Sequence, residues 1–294
     1  MSYVIITDST SDLCDELRVK YDIDYVAMNY VIDGKEYPAL LDWTSHSPKE
    51  LYDFMRNGKQ LSTTQVPRES FVTKFTEYLS KGSDVLYIAC SSALSGSYNL
   101  AVLVAKELES EYPNNKVYCV DSLISSLGEG SLAIKASELR SEGRSITEVV
   151  EYLTENRLKY NQFGTVENLE YLRRAGRIKA SKAFFGNIFG VKPIIISDVI
   201  GQNFAVKKAK GALNAKLTIA EEMASVVENP EEQILYISHA DAEESAVQLK
   251  DIILEKIPFA GVHIGYIAPI VGSSVGPGTV IAFCCGKEVT VKGE

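Results

Sequence analysis

The sequence offers no metal-ligand cluster, nucleotide cradle or bilayer span. Histidine stands at only three of 294 positions, His46, His239 and His263. None is spaced with another to share a metal ion, so no metal is expected. No G-x-x-x-x-G-K-[ST] or G-x-G-x-x-G follows a strand-like run, which removes two common ways of cradling phosphates. Gly276-Pro277-Gly278 is no replacement, because proline has no N–H to donate. A G-x-S-x-G nucleophile elbow is also missing, since Ser95 sits in Leu94-Ser95-Gly96. No stretch approaches the roughly 18 apolar residues that a membrane helix needs.

The five cysteines, Cys14, Cys90, Cys119, Cys284 and Cys285, form neither C-x-x-C pairs nor an even disulfide framework. Cys90 and Cys119 fall in apolar, strand-like runs and read as reduced core residues. That usage points to the cytoplasm. The opening Met1-Ser2-Tyr3-Val4-Ile5-Ile6 lacks a basic n-region and a long apolar h-region, so no signal peptide is expected. Basic residues number 30 against 39 acidic ones, a net charge of −9. A nucleic-acid binder would show the opposite balance, as a basic stripe. The same balance gives no reason for spontaneous docking on anionic lipid, although it leaves room for transient membrane contact.

What is present is a large apolar fraction, 46%, enough for a sizeable core. In the first half, strand-like runs at Tyr3–Thr7, Asp84–Cys90 and Val117–Val120 alternate with helical segments. Ser47-Pro48-Lys49-Glu50 and Ser145-Ile146-Thr147-Glu148 are capping boxes, and Pro67 opens a helix with Phe71, Phe75 and Leu79 on one face. Helices are also expected up to Leu108, over Ser131–Ser141 and over Ile146–Leu158. Alternation of this kind implies a layered domain with a parallel sheet. In the second half, Ile194–Ile196 and Phe204–Val206 flank Gly201-Gln202, a hairpin signal. Strands at Ile234–Ser238, Val262–Ile267 and Val280–Cys284 accompany helices over Lys216–Val227 and Glu243–Glu255, with a loop at Ile270–Gly278. The expected fold is therefore α/β in two domains. Residues 1–160 form an α/β/α domain with a parallel sheet, and residues 161–294 form an α+β domain with a mixed sheet. The boundary falls in the polar stretch near residues 155–165.

Three hydroxyl-rich segments stand out: Thr7–Asp12, Leu61–Pro67 and Ser91–Ser97. Each precedes an expected helix, where free N–H groups and hydroxyls together suit an anion. Each taken alone also fits an ordinary N-cap. In open α/β sheets ligands gather at the carboxyl ends of strands, where the first and third segments fall. Asp8 at a strand end raises an alternative, an autonomous Asp8-dependent phosphatase or phosphotransferase. Thr10, however, stands where a second carboxylate would be needed for acid–base work. Tyr171–Ile178 ends an expected helix with Arg173, Arg174 and Arg177. Such a cluster suits a solvated helix C-terminus or the neutralisation of an anion. The stretch Ala183–Val191, with Phe184, Phe185 and Phe189, is a candidate wall for an apolar tunnel and equally for ordinary core.

Taken together, Thr7-Asp8-Ser9-Thr10-Ser11-Asp12-Leu13, Ser62-Thr63-Thr64-Gln65, Ser91–Tyr98, Tyr171–Ile178 and Val275-Gly276-Pro277-Gly278 resemble the DegV family of bacterial fatty-acid-binding proteins. The segments keep the family's order and span nearly the whole chain. The resemblance implies a two-domain protein that holds one long-chain fatty acid and contains no cofactor. It implies a carboxylate bound by Thr63 and by Ser95, the serine before glycine. Asp8, Ser9, Ser92, Ser274, Arg174 and Arg177 are candidate supporting residues. It also implies a role as the acyl-binding subunit of a fatty acid kinase rather than as an enzyme. A separate ATP-binding protein would phosphorylate the presented carboxylate to acyl-phosphate for phospholipid synthesis, with Arg174 and Arg177 as sites for docking or phosphoryl transfer. A lipid-sensing regulator that binds another protein is a further alternative. The chain departs from the family pattern at Ser274, where many members carry histidine, and at Ala175, where glycine is common. Serine can donate a hydrogen bond there but carries no charge. Burying about 14–16 methylenes gives roughly 11–13 kcal/mol gross, much of it offset by ordering and association costs. The head-group contacts then set orientation more than affinity.

Overall fold

The computed structural model describes residues 3–179 and 190–293. The chain starts with β1 (Tyr3–Asp8), α1 (Asp15–Tyr21), β2 (Ile23–Val26), β3 (Asn29–Ile32), β4 (Lys35–Pro38), α2 (Pro48–Arg56) and β5 (Leu61–Thr64). It continues with α3 (Arg68–Leu79), β6 (Asp84–Ala89), α4 (Ser97–Leu108), β7 (Val117–Asp121), α5 (Leu127–Ser141) and α6 (Ile146–Asn156). The second half holds β8 (Tyr160–Thr165), α7 (Glu170–Ala175), β9 (Val191–Ser197), β10 (Asn203–Lys210), α8 (Ala212–Val226) and β11 (Ile234–His239). It closes with α9 (Glu243–Leu254), β12 (Gly261–Tyr266), α10 (Pro269–Val275) and β13 (Val280–Cys285).

The expected α/β character is present. Strands pair in parallel in the order β2-β1-β6-β7, and a mixed sheet follows in the order β10-β9-β8-β13-β11-β12. In that second sheet β11 runs parallel to β12, and the other neighbours are antiparallel. β6 is buried on both faces, as a central parallel strand should be. Its period-two pattern splits cleanly: Leu86 and Ile88 face one apolar layer, and Val85, Tyr87 and Ala89 face another. The outer layer is closed by Phe71 and Phe75 of α3 with Val104 and Leu108 of α4. The inner layer joins α5 and α6, through Leu132, Ala133, Val149 and Leu153, to Ile195, Ile281 and Phe283 of the second sheet. A third layer, with Ile219 and Met223 of α8 and Leu249 and Ile253 of α9, covers the far face of that sheet.

α5 therefore lies between two sheets, and its glycines make that passage sterically feasible. A Cβ on Gly130 would sit 2.7 Å from the Ser11 carbonyl oxygen, and one on Gly128 would sit 2.4 Å from Ile124. Both capping boxes form: the Ser47 and Ser145 hydroxyls accept from the Glu50 and Glu148 amides, and each glutamate reaches back.

Four expectations need correction. Residues 270–275 are not a loop but most of α10. Leu61–Thr64 is not a turn but β5, which with β3 and β4 forms a small antiparallel sheet absent from the sequence reading. α5 begins at Leu127 and α8 at Ala212, each about one turn before its expected start. The N-cap residues of the helices that follow the three polar segments are not the expected hydroxyl residues, although the Ser95 hydroxyl, one residue before the α4 cap, accepts from the first helical amide. Those N-caps are Cys14, Pro67 and Gly96, and none makes a side-chain capping bond. The expected tunnel segment at 183–189 lies outside the described residues. Among the described residues, no helix is long and apolar enough to cross a membrane.

Candidate functional site

Between the inner face of the second sheet, α10 and the loops above the parallel sheet lies a cavity. It offers about 190 Å³ to the centres of water-sized molecules, more than ten times what one water requires. Leu172, Ile195, Ile270, Val271, Val275 and Ile281 supply its apolar wall, and Thr63, Ser95, Ser274 and Arg177 share the same lining.

Thr63 comes from β5, where it pairs with the fully buried Tyr30 of β3. Ser95 comes from the loop after β6. The two segments are tied together by Ser97, whose hydroxyl accepts from the Val66 amide at 3.1 Å and lies 3.0 Å from the Ser95 hydroxyl. The Ser97 amide also donates to the Ser95 oxygen at 3.2 Å. Either hydroxyl of this pair can supply the proton between them, and in the arrangement where Ser97 donates, the Ser95 proton is left for a ligand. Gly96 lets Gln65 lie close between them, since a Cβ there would fall 2.2 Å from Gln65 Oε1 and displace that exposed side chain. Arg177 braces the same loop: its Nε donates to the Leu94 carbonyl at 2.8 Å. Ser274 on α10 makes only a long 3.5 Å bond to the Ile270 carbonyl, which leaves it a weakly engaged donor.

The remaining candidates lie elsewhere. Arg174 is exposed, stands over the Tyr171 ring with its guanidinium carbon 5.0 Å from the centroid, and lines an adjoining hollow with Ser62 and Ser273. Thr63, Arg177 and Ser274 border both spaces. Ser9 is buried and accepts from the Met28 amide at 2.9 Å. Half-buried Ser92 donates its amide to Asp121 at 3.1 Å. Neither lines the cavity. Asp8 is fully buried, and both of its oxygens are engaged: Oδ1 by the Thr10 amide and hydroxyl, Oδ2 by the Tyr87 hydroxyl and the Cys90 amide. A nucleophilic carboxylate needs a free lone pair facing its substrate, and Asp8 has no such exposure.

Sequence reasoning missed what surrounds Asp8. The Thr10 hydroxyl lies 2.6 Å from Asp8 Oδ1 and 2.6 Å from Glu129 Oε2. One hydroxyl carries one proton, so two ionised carboxylates cannot both be satisfied there. Burial, and secondarily the Asp8 charge, push Glu129 well above the usual carboxylate range, which favours a proton held within this pair. Asp8 is also pushed upward by burial, against the pull of its hydrogen bonds. A third buried carboxyl, Asp12, accepts from the Ala268 amide at the start of α10 at 2.8 Å and is bonded to the Ser126 hydroxyl, which in turn meets Ser238 at 2.9 Å. Burial raises Asp12 to about 8. Asp12 and Ser126 both hold left-handed φ values, 55° and 58°. Such strain persists where surrounding structure over-determines it. The one signal in the sequence was Glu129 itself, a charge between two glycines in the first turn of a helix whose other charges, Lys135, Glu138 and Arg140, fall in its second half.

A model of the family described as "Uncharacterised protein, DegV family" matches residues 2–286. The chain belongs to the DegV family. It is 36% identical over 284 residues to a DegV domain-containing protein of Clostridium perfringens, an alignment that covers 97% of each chain. Among solved structures, it matches a DegV-family protein from Thermus thermophilus described by its fatty acid binding. The TM-score is 0.88 at 28% identity, covering 98% of this chain and 100% of that one. A DegV-family protein from Ruminococcus gnavus, described with vaccenic acid, matches with a TM-score of 0.86 at 26% identity, covering 96% and 99%. Fatty acid binding is thus a property of DegV-family proteins that share this fold.

Proposed function

We propose that this chain buries a single long-chain fatty acid in the cavity between its halves, with the carboxylate at Thr63 and Ser95. It then presents that carboxylate to a separate ATP-binding fatty acid kinase, which converts it to acyl-phosphate. In this reading the chain is the lipid-binding subunit, contains no cofactor of its own and works in the cytoplasm. Residues 1–160 supply the hydroxyl-bearing segments, and residues 161–294 complete the acyl pocket.

The observation that carries the reading is one lining that joins hydroxyl donors to a continuous apolar wall. An alkyl chain gains about 0.8 kcal/mol per buried methylene. A buried carboxylate without partners would cost several kcal/mol, so donors must stand at one end. Thr63, Ser95 and Ser274 offer neutral donors there, and Arg177 adds a positive charge while bracing the Ser95 loop. Membership of a family with fatty-acid-binding members supports the same reading. In this reading Arg174 and Arg177, which both border the adjoining hollow, would meet a docking kinase or its phosphoryl group.

The test is lipid extraction and mass spectrometry on the protein purified from a bacterial host, followed by the Thr63→Ala, Ser95→Ala double variant. The wild type should carry a stoichiometric long-chain acid, and the double variant should no longer support acyl-phosphate formation by a fatty acid kinase. Repeated recovery of lipid-free wild type, or normal turnover of the double variant, would reject the assignment.

A further inference from the structure

One polar side chain in the cavity floor has no role in the reading above. Gln162 lies in β8, 5% exposed. It shares a face with Gly164, two residues along the strand. Across the sheet Gly164 pairs with Ile195 and Ile281, and Gln162 pairs with Phe283. Those partners belong to the apolar layer between the sheets, so the Gln162 amide enters that layer. Gln162 and Gly164 both line the cavity.

The orientation of the amide follows from its neighbours. Asn203 donates Nδ2 to the Arg177 carbonyl at 3.0 Å, an oxygen that can only accept. Asn203 Oδ1 is thereby turned toward Gln162, which must answer with an N–H, and Nε2 stands 2.9 Å away. One Gln162 proton is committed. Its second N–H and its Oε1 have no hydrogen-bond partner among the described residues.

Its position is also set by the sheet. Thr279 bonds the carbonyls of Val275 and Gly276 at the end of α10 and precedes Val280, which pairs with Thr165. The Ser274 end of the cavity is therefore the Val166 end of β8. From Val166 to Gln162 is four residues, about 13 Å at roughly 3.3 Å each. Gln162 therefore meets a ligand along its chain, away from the Ser274 end.

We propose that Gln162 selects a long-chain carboxylic acid bearing a hydroxyl group within its chain. One hydroxyl satisfies both vacant positions, giving its proton to Oε1 and accepting the Nε2 proton. A plain alkyl chain would leave both positions desolvated and unpaired, which carries a penalty. An oxo group could use only the N–H. This inference rests on the fatty-acid reading and names the substrate class of the same cavity.

The experiment measures the affinity of delipidated wild type for octadecanoic acid and for a series of octadecanoic acids carrying one hydroxyl at successive carbons. The wild type should show a preference of about thirtyfold at one mid-chain position, the worth of two buried hydrogen bonds. Gln162→Met, unbranched and of similar length, should lose that preference while still binding octadecanoic acid, and Gln162→Leu serves as a second variant. A flat wild-type profile, or a preference that survives both substitutions, overturns the assignment of Gln162. Failure of the wild type to bind any member of the series would instead overturn the fatty-acid reading itself.

Discussion

Asp12 allows a test of the buried carboxyls with a worked magnitude. Its carboxyl moves from the ordinary 3.8 to about 8 because burial penalises the charge. Below about pH 4 it is protonated in both folded and unfolded chains and has no effect on stability. Between about pH 4 and pH 8 the unfolded chain has released the proton and the folded chain retains it. The folded state then binds more protons, so stability falls as pH rises, by about 1.4 kcal/mol per pH unit. Above about pH 8 the loss levels off, at an upper bound of about 6 kcal/mol.

Asp12→Asn removes this dependence without removing the contacts. An asparagine Oδ1 can still accept from the Ala268 amide, and its Nδ2 can donate to Ser126, which keeps its own proton for Ser238. Asparagine also tolerates the left-handed φ of 55° better than most residues. We expect wild type and variant to be equally stable near pH 4. The variant should pull ahead steadily up to about pH 8, by several kcal/mol. Urea unfolding of both proteins across that range gives the comparison. The difference between them reports chiefly Asp12, because Asp8 and Glu129 titrate in both and the Asp12 charge is the smallest of the named influences on Glu129. A difference that does not change with pH, or a variant less stable than wild type at pH 8, would refute the account.

Two further outcomes follow from other buried contacts. Tyr87→Phe removes the 2.8 Å bond to Asp8 Oδ2 in a fully buried setting and should cost about 1.5–3 kcal/mol in urea unfolding; an unchanged midpoint would mean that Asp8 does not depend on this donor. Gly276→Ala forces a left-handed φ of 80° on alanine, at about 1–2 kcal/mol, and places a Cβ 2.3 Å from the Tyr171 ring. It should therefore destabilise by more than the conformational term alone and weaken acyl binding through displacement of α10, readable by thermal unfolding and ligand titration.

The parallel sheet was legible because β1 and β6 are continuous apolar runs, and their burial needs no knowledge of distant partners. The capping boxes at Ser47 and Ser145 were legible because they are local. The small antiparallel sheet was not. β4 reads Lys-Glu-Tyr-Pro and is almost wholly exposed, and β5 reads Leu-Ser-Thr-Thr with alternate exposure, so only pairing with β3 makes these four-residue runs strands. α10 was hidden for a related reason. Gly272, Ser273 and Ser274 favour helix weakly, and the segment is fixed from outside. Asp12 accepts from the Ala268 amide, the Tyr52 hydroxyl donates to the Ile267 carbonyl at 2.6 Å, and a Cβ on Gly272 would meet that same hydroxyl. The hydroxyl-rich segments were visible from composition, but the displacement of the N-caps to Cys14, Pro67 and Gly96 was not, because it depends on where each helix begins.

The buried acids also bear on how an anionic ligand could be tolerated. Thr10 and Cys90 line the cavity, and both hydrogen-bond Asp8, so the carboxyl cluster lies just behind the wall. Were Asp8, Asp12 and Glu129 all ionised, each would repel a fatty-acid carboxylate at about 10 Å by roughly 1.7 kcal/mol at an effective dielectric constant of 20. Three such charges would cancel much of what the hydroxyl donors supply. Burial raises all three carboxyls above their ordinary range, and the shared Thr10 hydroxyl requires at least one proton between Asp8 and Glu129. The wall behind the cavity therefore carries less negative charge at neutral pH than its composition suggests. The acids can serve as hydrogen-bonding cross-links between α5, α10 and the first loop without setting up a field that expels an acid ligand.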